Sequence, residues 1–172
     1  RAGDIERTML KGHLGRDREP RPGIMGCVRR LPRNQVSMLE LQEPMVYVVD
    51  DDVRVRNAVS SLLGSVGFNV SCFASALEFL SSPRPEVPAC LVLDLALPDL
   101  SGLELQQQLV ASNGPPIVFI TGRGDVPASV KAMKAGAVEF LPKPFGDEEL
   151  LRAIETAIAL DRSAREKRSR EW

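Results

Sequence analysis

The sequence predicts an α/β protein built on one open, doubly wound parallel sheet, on three observations. Five times between residues 45 and 160, a short apolar run is followed by a segment with helical spacing. Three of those runs are apolar almost without a break, as strands covered by helices on both faces must be. Acidic residues directly follow the first run and end the third, at the carboxyl edge where open α/β sheets bind their ligands.

The elements follow in order. Met45–Val49 (MVYVV) reads as the first strand, with Asp50, Asp51 and Asp52 immediately after it. Val55, Ala58, Val59, Leu62, Leu63 and Val66 then fall at i, i+3, i+4, i+7, i+8 and i+11, the pattern of a core-facing helix. Asp52 is placed to cap its start and Gly67 to stop it. Phe68–Phe73 is the second strand, with a helix over Ala74–Ser81. Ala89–Leu93 (ACLVL) is the third, and after a turn at Pro98–Gly102 a helix runs to about Ala111. Pro116–Ile120 (PIVFI) is the fourth, with a helix over Pro127–Ala135. Val138–Leu141 is the fifth strand, and the helix after it carries Leu150, Leu151, Ile154, Ala157 and Ile158 on one face. Five β-α units of this kind imply an all-parallel sheet with helices on both sides. In the flavodoxin-like order 2-1-3-4-5, the ligand crevice lies between strands 1 and 3.

The ends read differently. Residues 1–43 mix Arg, Gly and Pro without apolar periodicity, and are expected to be disordered or vector-derived. The compact domain is expected over 44–160. Residues 161–172 (DRSAREKRSREW) are charged and helix-favouring, as an extension or linker toward a further domain. Charge divides along the same line: residues 1–37 carry a net +5, and 38–172 a net −6. An acidic domain is poorly suited to binding nucleic acid directly. No apolar stretch approaches the roughly 20 residues needed to cross a bilayer. Cys27, Cys72 and Cys90 form no CxxC and are expected to be reduced thiols in a cytoplasmic protein, the last two in buried strands.

Four strand ends bring polar groups to one edge: Asp50 and Asp51, Asp94, Thr121 and Lys143. Singly, each has an ordinary explanation as a cap, a turn residue or a solvated lysine. Together they describe a site. Crowded carboxylates raise one another's pKa values unless a cation neutralises them. Oxygen ligands of this type suit Mg²⁺ (or Mn²⁺), which binds through one or two carboxylates and a phosphate. Lys143 then offers a second positive charge to phosphoryl oxygens, Thr121 offers a hydroxyl, and Asp94 is left as the nucleophile. A Ser-His-Asp hydrolase is excluded, because the one histidine, His13, lies in the leading basic segment. An aspartyl-nucleophile phosphatase would need an acid two residues after Asp94, where Ala96 stands.

The strings Val48-Val49-Asp50-Asp51-Asp52, Leu91-Val92-Leu93-Asp94 through Ser101-Gly102, Ile120-Thr121-Gly122 and Lys143-Pro144-Phe145 resemble the response regulator receiver domain. The resemblance spans about residues 45–160. Gly124-Asp125-Val126-Pro127 and Ala132-Met133-Lys134-Ala135-Gly136-Ala137 are similar to the FixJ-like branch, whose receivers commonly precede a LuxR-type helix-turn-helix domain. The resemblance implies that Asp94 accepts a phosphoryl group from a sensor histidine kinase. Asp51, Asp94 and the Ala96 carbonyl would hold the metal, with Asp50 an acidic neighbour acting through water. Lys143 would contact the phosphoryl group across a cis Lys143–Pro144 bond, and Thr121 and Phe140 would form the switch. It also implies a phosphorylation-dependent homodimer through the fourth helix, fifth strand and fifth helix, and DNA binding only through an output domain beyond these residues. Phe140 lacks the hydroxyl of the tyrosine seen in many receivers. Ala96 replaces the long polar residue frequent in the branch, with Arg123 near enough to fill its space, which implies an altered phosphoryl lifetime. The alternative is a degenerate receiver that only mediates protein contacts.

Overall fold

In the computed structural model of the chain, the described residues are 42–122 and 126–171. Five strands and five helices alternate through them. They are β1 (Met45–Val49), α1 (Val53–Ser65), β2 (Asn69–Phe73), α2 (Ala76–Ser81), β3 (Ala89–Asp94), α3 (Gly102–Ala111), β4 (Ile117–Thr121), α4 (Val126–Lys134), β5 (Glu139–Pro142) and α5 (Asp147–Arg170). Every strand pair is parallel and the order is β2-β1-β3-β4-β5. This is the predicted flavodoxin-like topology. Its switch point falls between β1 and β3, where Val49 lies opposite Leu93.

Burial follows position in the sheet. The three central strands are buried along almost their whole length, while the edge strands β2 and β5 are buried only in part. Alternate residues feed two cores. On one face Val46, Val48, Val92 and Ile120 pack with Val59 and Leu63 of α1 and with Leu150, Ile154 and Ile158 of α5. On the other face Tyr47, Leu91 and Phe119 pack with Phe79 of α2, Leu105 and Leu109 of α3 and Ala132 of α4. Truncating a fully buried aromatic such as Phe119 to alanine would remove about 3–5 kcal/mol.

Local chemistry sets the helix ends. The Asp52 side chain accepts from the Arg54 N–H at the start of α1, and Gly67 takes the positive φ (+90°) that ends that unit. Ser101 and Glu104 form a reciprocal capping box on α3. α5 opens on Asp147, Glu148 and Glu149 and closes on Lys167, Arg168 and Arg170, charges that complement the helix dipole at each end.

Three expectations need correction. The second helix begins at Ala76, two residues later than its apolar spacing suggests, because the Ser75 hydroxyl caps it by accepting from the Glu78 N–H. Ala58 and Val66 of the α1 stripe are exposed, so that face is wider than the core it covers. Cys90 is buried but Cys72 is exposed, because β2 has a neighbour on one side only. Of the leading segment expected over 1–43, residues 1–41 lie outside the described residues. Glu43 is described, and its carboxylate accepts from Asn69 Nδ2 at 2.9 Å.

Candidate functional site

The loops leaving β1, β3, β4 and β5 meet at the carboxyl edge of the sheet. β1 delivers Asp50, completely buried, and then Asp51, which is exposed. β3 delivers Asp94 as its last residue, 5% exposed, and β4 ends on buried Thr121. One carboxylate oxygen from each of Asp50, Asp51 and Asp94 lies within 4.8 Å of the others. Lys143 reaches into this group after β5. Its Nζ donates to Asp50 Oδ2 at 2.7 Å and to Asp94 Oδ2 at 3.5 Å.

The backbone around Lys143 fixes this reach. Its N–H donates to the Thr121 carbonyl at 2.6 Å, extending the β4–β5 pairing past the strand ends, and the following Lys143–Pro144 bond is cis. A cis bond at this position is what the resemblance to receiver domains implied.

The three carboxylates are not equivalent. Both oxygens of Asp50 are engaged, Oδ1 by the Asp52 N–H at 2.8 Å and Oδ2 by Lys143. Arg56 adds a hold that the sequence reading missed, donating from Nη1 to the Asp50 carbonyl at 2.6 Å. Asp94 Oδ1 accepts from the Ala96 N–H at 3.1 Å, which brings that peptide beside the site. Asp51 has no hydrogen-bond or ion-pair partner among the described residues. Burial and then the Asp50 charge hold the Asp94 carboxyl above the usual carboxylate range, against the pull of the Ala96 N–H and Lys143. Burial alone would lower the Lys143 ammonium. Its bond to Asp50 and the two negative charges outweigh that, and leave it above its ordinary value.

A hard divalent cation fits this donor set. All the donors are oxygens, and one of the three carboxylates has its oxygens free among the described residues. Mg²⁺ takes such oxygens in an octahedral shell at about 2.1 Å, and keeps waters in the positions the protein does not fill.

Two further positions shape the site. A Cβ on Gly102, at the start of α3, would lie 2.9 Å from the Asp94 carbonyl oxygen and 3.0 Å from Phe119 Cε1. The Gly102 N–H donates to the Leu95 carbonyl at 3.0 Å, so the absent side chain is what lets the helix close over the end of β3. Phe140 is half-buried on β5, its ring 6.0 Å from that of Phe119. Arg123, expected to fill the space beside Ala96, lies outside the described residues, as do Gly124 and Asp125.

Next to the site is an apolar groove between α1 and the turn after β5. Val55, Ala58, Leu62, Pro144 and Phe145 line it, with Lys143 at its rim.

The receiver domain of response regulators matches residues 46–155. The chain is 52% identical over 123 residues to Nodulation protein W of Bradyrhizobium diazoefficiens, covering 71% of this chain and 54% of that protein. It is 46% identical over 114 residues to the transcriptional regulatory protein FixJ of the same organism, covering 66% and 56%. The solved structure of the response regulator StyR aligns with a TM-score of 0.71 at 53% identity, over 76% of this chain and 66% of that one. The chain spans about half the length of the curated relatives it matches. Such domains are signalling modules of regulators that work with histidine kinases, and this chain belongs to the response regulator receiver domain family, in its FixJ-like branch.

Proposed function

We propose that the domain, over 44–160, is a phosphorylation-dependent switch whose input is Asp94. The observation that carries this is the shared ammonium: Lys143 contacts both the buried Asp50 and Asp94, beside an open third carboxylate. An Asp94 oxygen forms a bond to phosphorus as the P–N bond of a phosphohistidine on the partner kinase breaks, and the departing imidazole keeps the electron pair. Asp51, Asp94 and the Ala96 carbonyl would hold Mg²⁺ (or Mn²⁺), which supplies positive charge against carboxylate and phosphoryl repulsion. Asp50, with both oxygens engaged, would act on that ion through water. Lys143 exchanges its contact with Asp94 for the incoming phosphoryl oxygens, and the Thr121 hydroxyl donates to them. Thr121 and Phe140 together pass the change to the β4–β5 side of the domain. The same site would return the phosphoryl group to water slowly.

The groove beside Lys143 supports a protein donor, since contiguous exposed apolar surface next to a reactive site favours docking. A homodimer of the phosphorylated form through α4, β5 and α5 is supported by Val126, Val130 and Met133. These are 72%, 45% and 43% exposed, and lie at i, i+4 and i+7 on α4. Contact with DNA would come only through an output domain beyond residues 161–172, the linker.

The test is labelling with acetyl phosphate and Mg²⁺, read by intact mass. The wild type is expected to gain one phosphoryl group and Asp94→Asn none; equal gain by both excludes Asp94 as acceptor. Size-exclusion chromatography with beryllofluoride and Mg²⁺ tests the dimer, which unchanged elution at high concentration would rule out.

A further inference from the structure

The opposite edge of the sheet carries a third buried carboxylate, and it has no place in the phosphoryl chemistry. β4 begins its pairing with β3 at Ile117, opposite Leu91, and the Leu91 N–H donates to the Pro116 carbonyl at 2.9 Å. Two residues earlier, the Ala89 N–H points to the same side, since alternate residues of a strand direct their amides alike. There is no strand for it to meet. The chain before β4 turns away through Asn113, at φ 55°, and Gly114, whose N–H returns to the Leu109 carbonyl. Asp161 of α5 fills the gap: its Oδ2 accepts from the Ala89 N–H at 2.9 Å. The same oxygen accepts from Arg165 Nε, one helical turn further on, also at 2.9 Å.

The position on the helix matters as much as the bond. The buried residues of α5 are Leu150, Ala153, Ile154, Ala157, Ile158 and Asp161. Asp161 therefore takes the next place in the apolar stripe, three residues after Ile158, and is 3% exposed. No residue of α5 beyond it is buried. From Arg162 to Arg170 the helix continues with no fully buried residue, only the half-buried Arg162, Ala164, Arg165, Glu166 and Arg168, and so short a segment does not hold its helix in water unaided.

We infer that Asp161 is a positioning residue that fixes the direction in which α5 leaves the receiver. Its carboxylate takes the place of the missing strand at the start of β3, and Arg165 clamps that carboxylate to the next turn of the helix. The final turns of α5 are thereby a rigid extension of the sheet. This goes beyond the phosphoacceptor reading and does not depend on it, because the anchor lies at the other end of β3 from Asp94.

The experiment uses the full 172-residue chain with Cys27 and Cys72 replaced by serine and nitroxide labels at Asn57→Cys and Ser169→Cys. Distance distributions are measured by pulsed electron paramagnetic resonance, alongside amide hydrogen exchange of residues 162–170. The unsubstituted chain is expected to give one narrow distribution. Asp161→Ala is expected to broaden it about twofold and to speed exchange in 162–170 about tenfold. Asp161→Asn, which keeps an oxygen acceptor for the Ala89 N–H, should restore most of the narrow distribution. Ala89→Pro removes the donor without touching the helix, at a strand's first residue where proline is tolerated, and should broaden the distribution as Asp161→Ala does. Unchanged width and exchange in Asp161→Ala, or in Ala89→Pro should the alanine variant not fold, overturns the inference. Equal broadening in Asp161→Asn and Asp161→Ala overturns the assignment of the anchor to the Ala89 bond. None of these measurements involves phosphoryl transfer, so their outcome is separate from that of the Asp94 labelling.

Discussion

The two ends of β3 each meet a buried aspartate, and the two are held in opposite ways. At the carboxyl end Asp94 shares one ammonium with Asp50 and sits beside Asp51, so three negative charges face one positive charge. At the amino end Asp161 has a backbone amide and a guanidinium to itself. Burial alone therefore does not distinguish a reactive carboxylate from a structural one; the balance of partners does. An under-compensated cluster is held ready for a cation, while a satisfied one holds the chain in place.

The largest expected effect breaks the comparison on the reactive side. Adding Mg²⁺ at a hundredfold excess over its dissociation constant should stabilise the wild type by about 2.7 kcal/mol, read as a rise in the midpoint of urea unfolding. Asp51→Asn should lose most of that gain and Asp161→Asn should keep it. A gain that survives Asp51→Asn would take that residue out of the cation's contacts. Next is Gly102→Ala, whose new Cβ meets backbone on β3 and the Phe119 ring. It should lower stability by about 2 kcal/mol and slow phosphoryl uptake, whereas alanine at Gly64, which has nothing within 4 Å, should do neither. The smallest effect gives the sharpest contrast. Asp94→Asn relieves repulsion and should raise stability by about 1 kcal/mol in metal-free buffer. Asp161→Asn loses a charge-assisted bond and should lower it by about 1 kcal/mol. The same substitution changing stability in one direction at both sites would mean that their partners are not balanced as described.

Much of the carboxyl edge was legible in sequence because it is local. Asp50, Asp51, Asp94, Thr121 and Lys143 each end or follow an apolar run, and the parallel alternation of strands and helices carries every such end to one side. The base was not legible. Asp161 reads as the first residue of a charged linker, because its neighbours Arg162, Arg165, Glu166 and Lys167 are all polar. One signal was available: Asp161 falls three residues after Ile158, in step with the stripe from Leu150. Gln106 is similar, a buried amide between Leu105 and Leu109 whose Nε2 donates to the Ala132 carbonyl at 2.9 Å and ties α3 to α4. Its type predicts exposure, and only the packing of two helices supplies its partner.

The sequence by itself determined the class of fold and the set of residues at the reactive edge, and it was compatible with the strand order that the pairing of the strands then set. Periodicity and strand-end position are properties of the chain taken one segment at a time. The tertiary structure decided which carboxylate the lysine neutralises, why Gly102 carries no side chain, and that Asp161 closes the base of β3. The first and the last of these depend on groups far apart in the chain, 93 residues for Lys143 with Asp50 and 72 for Asp161 with Ala89. No local pattern encodes such a distance; the sheet sets it when its strands come together.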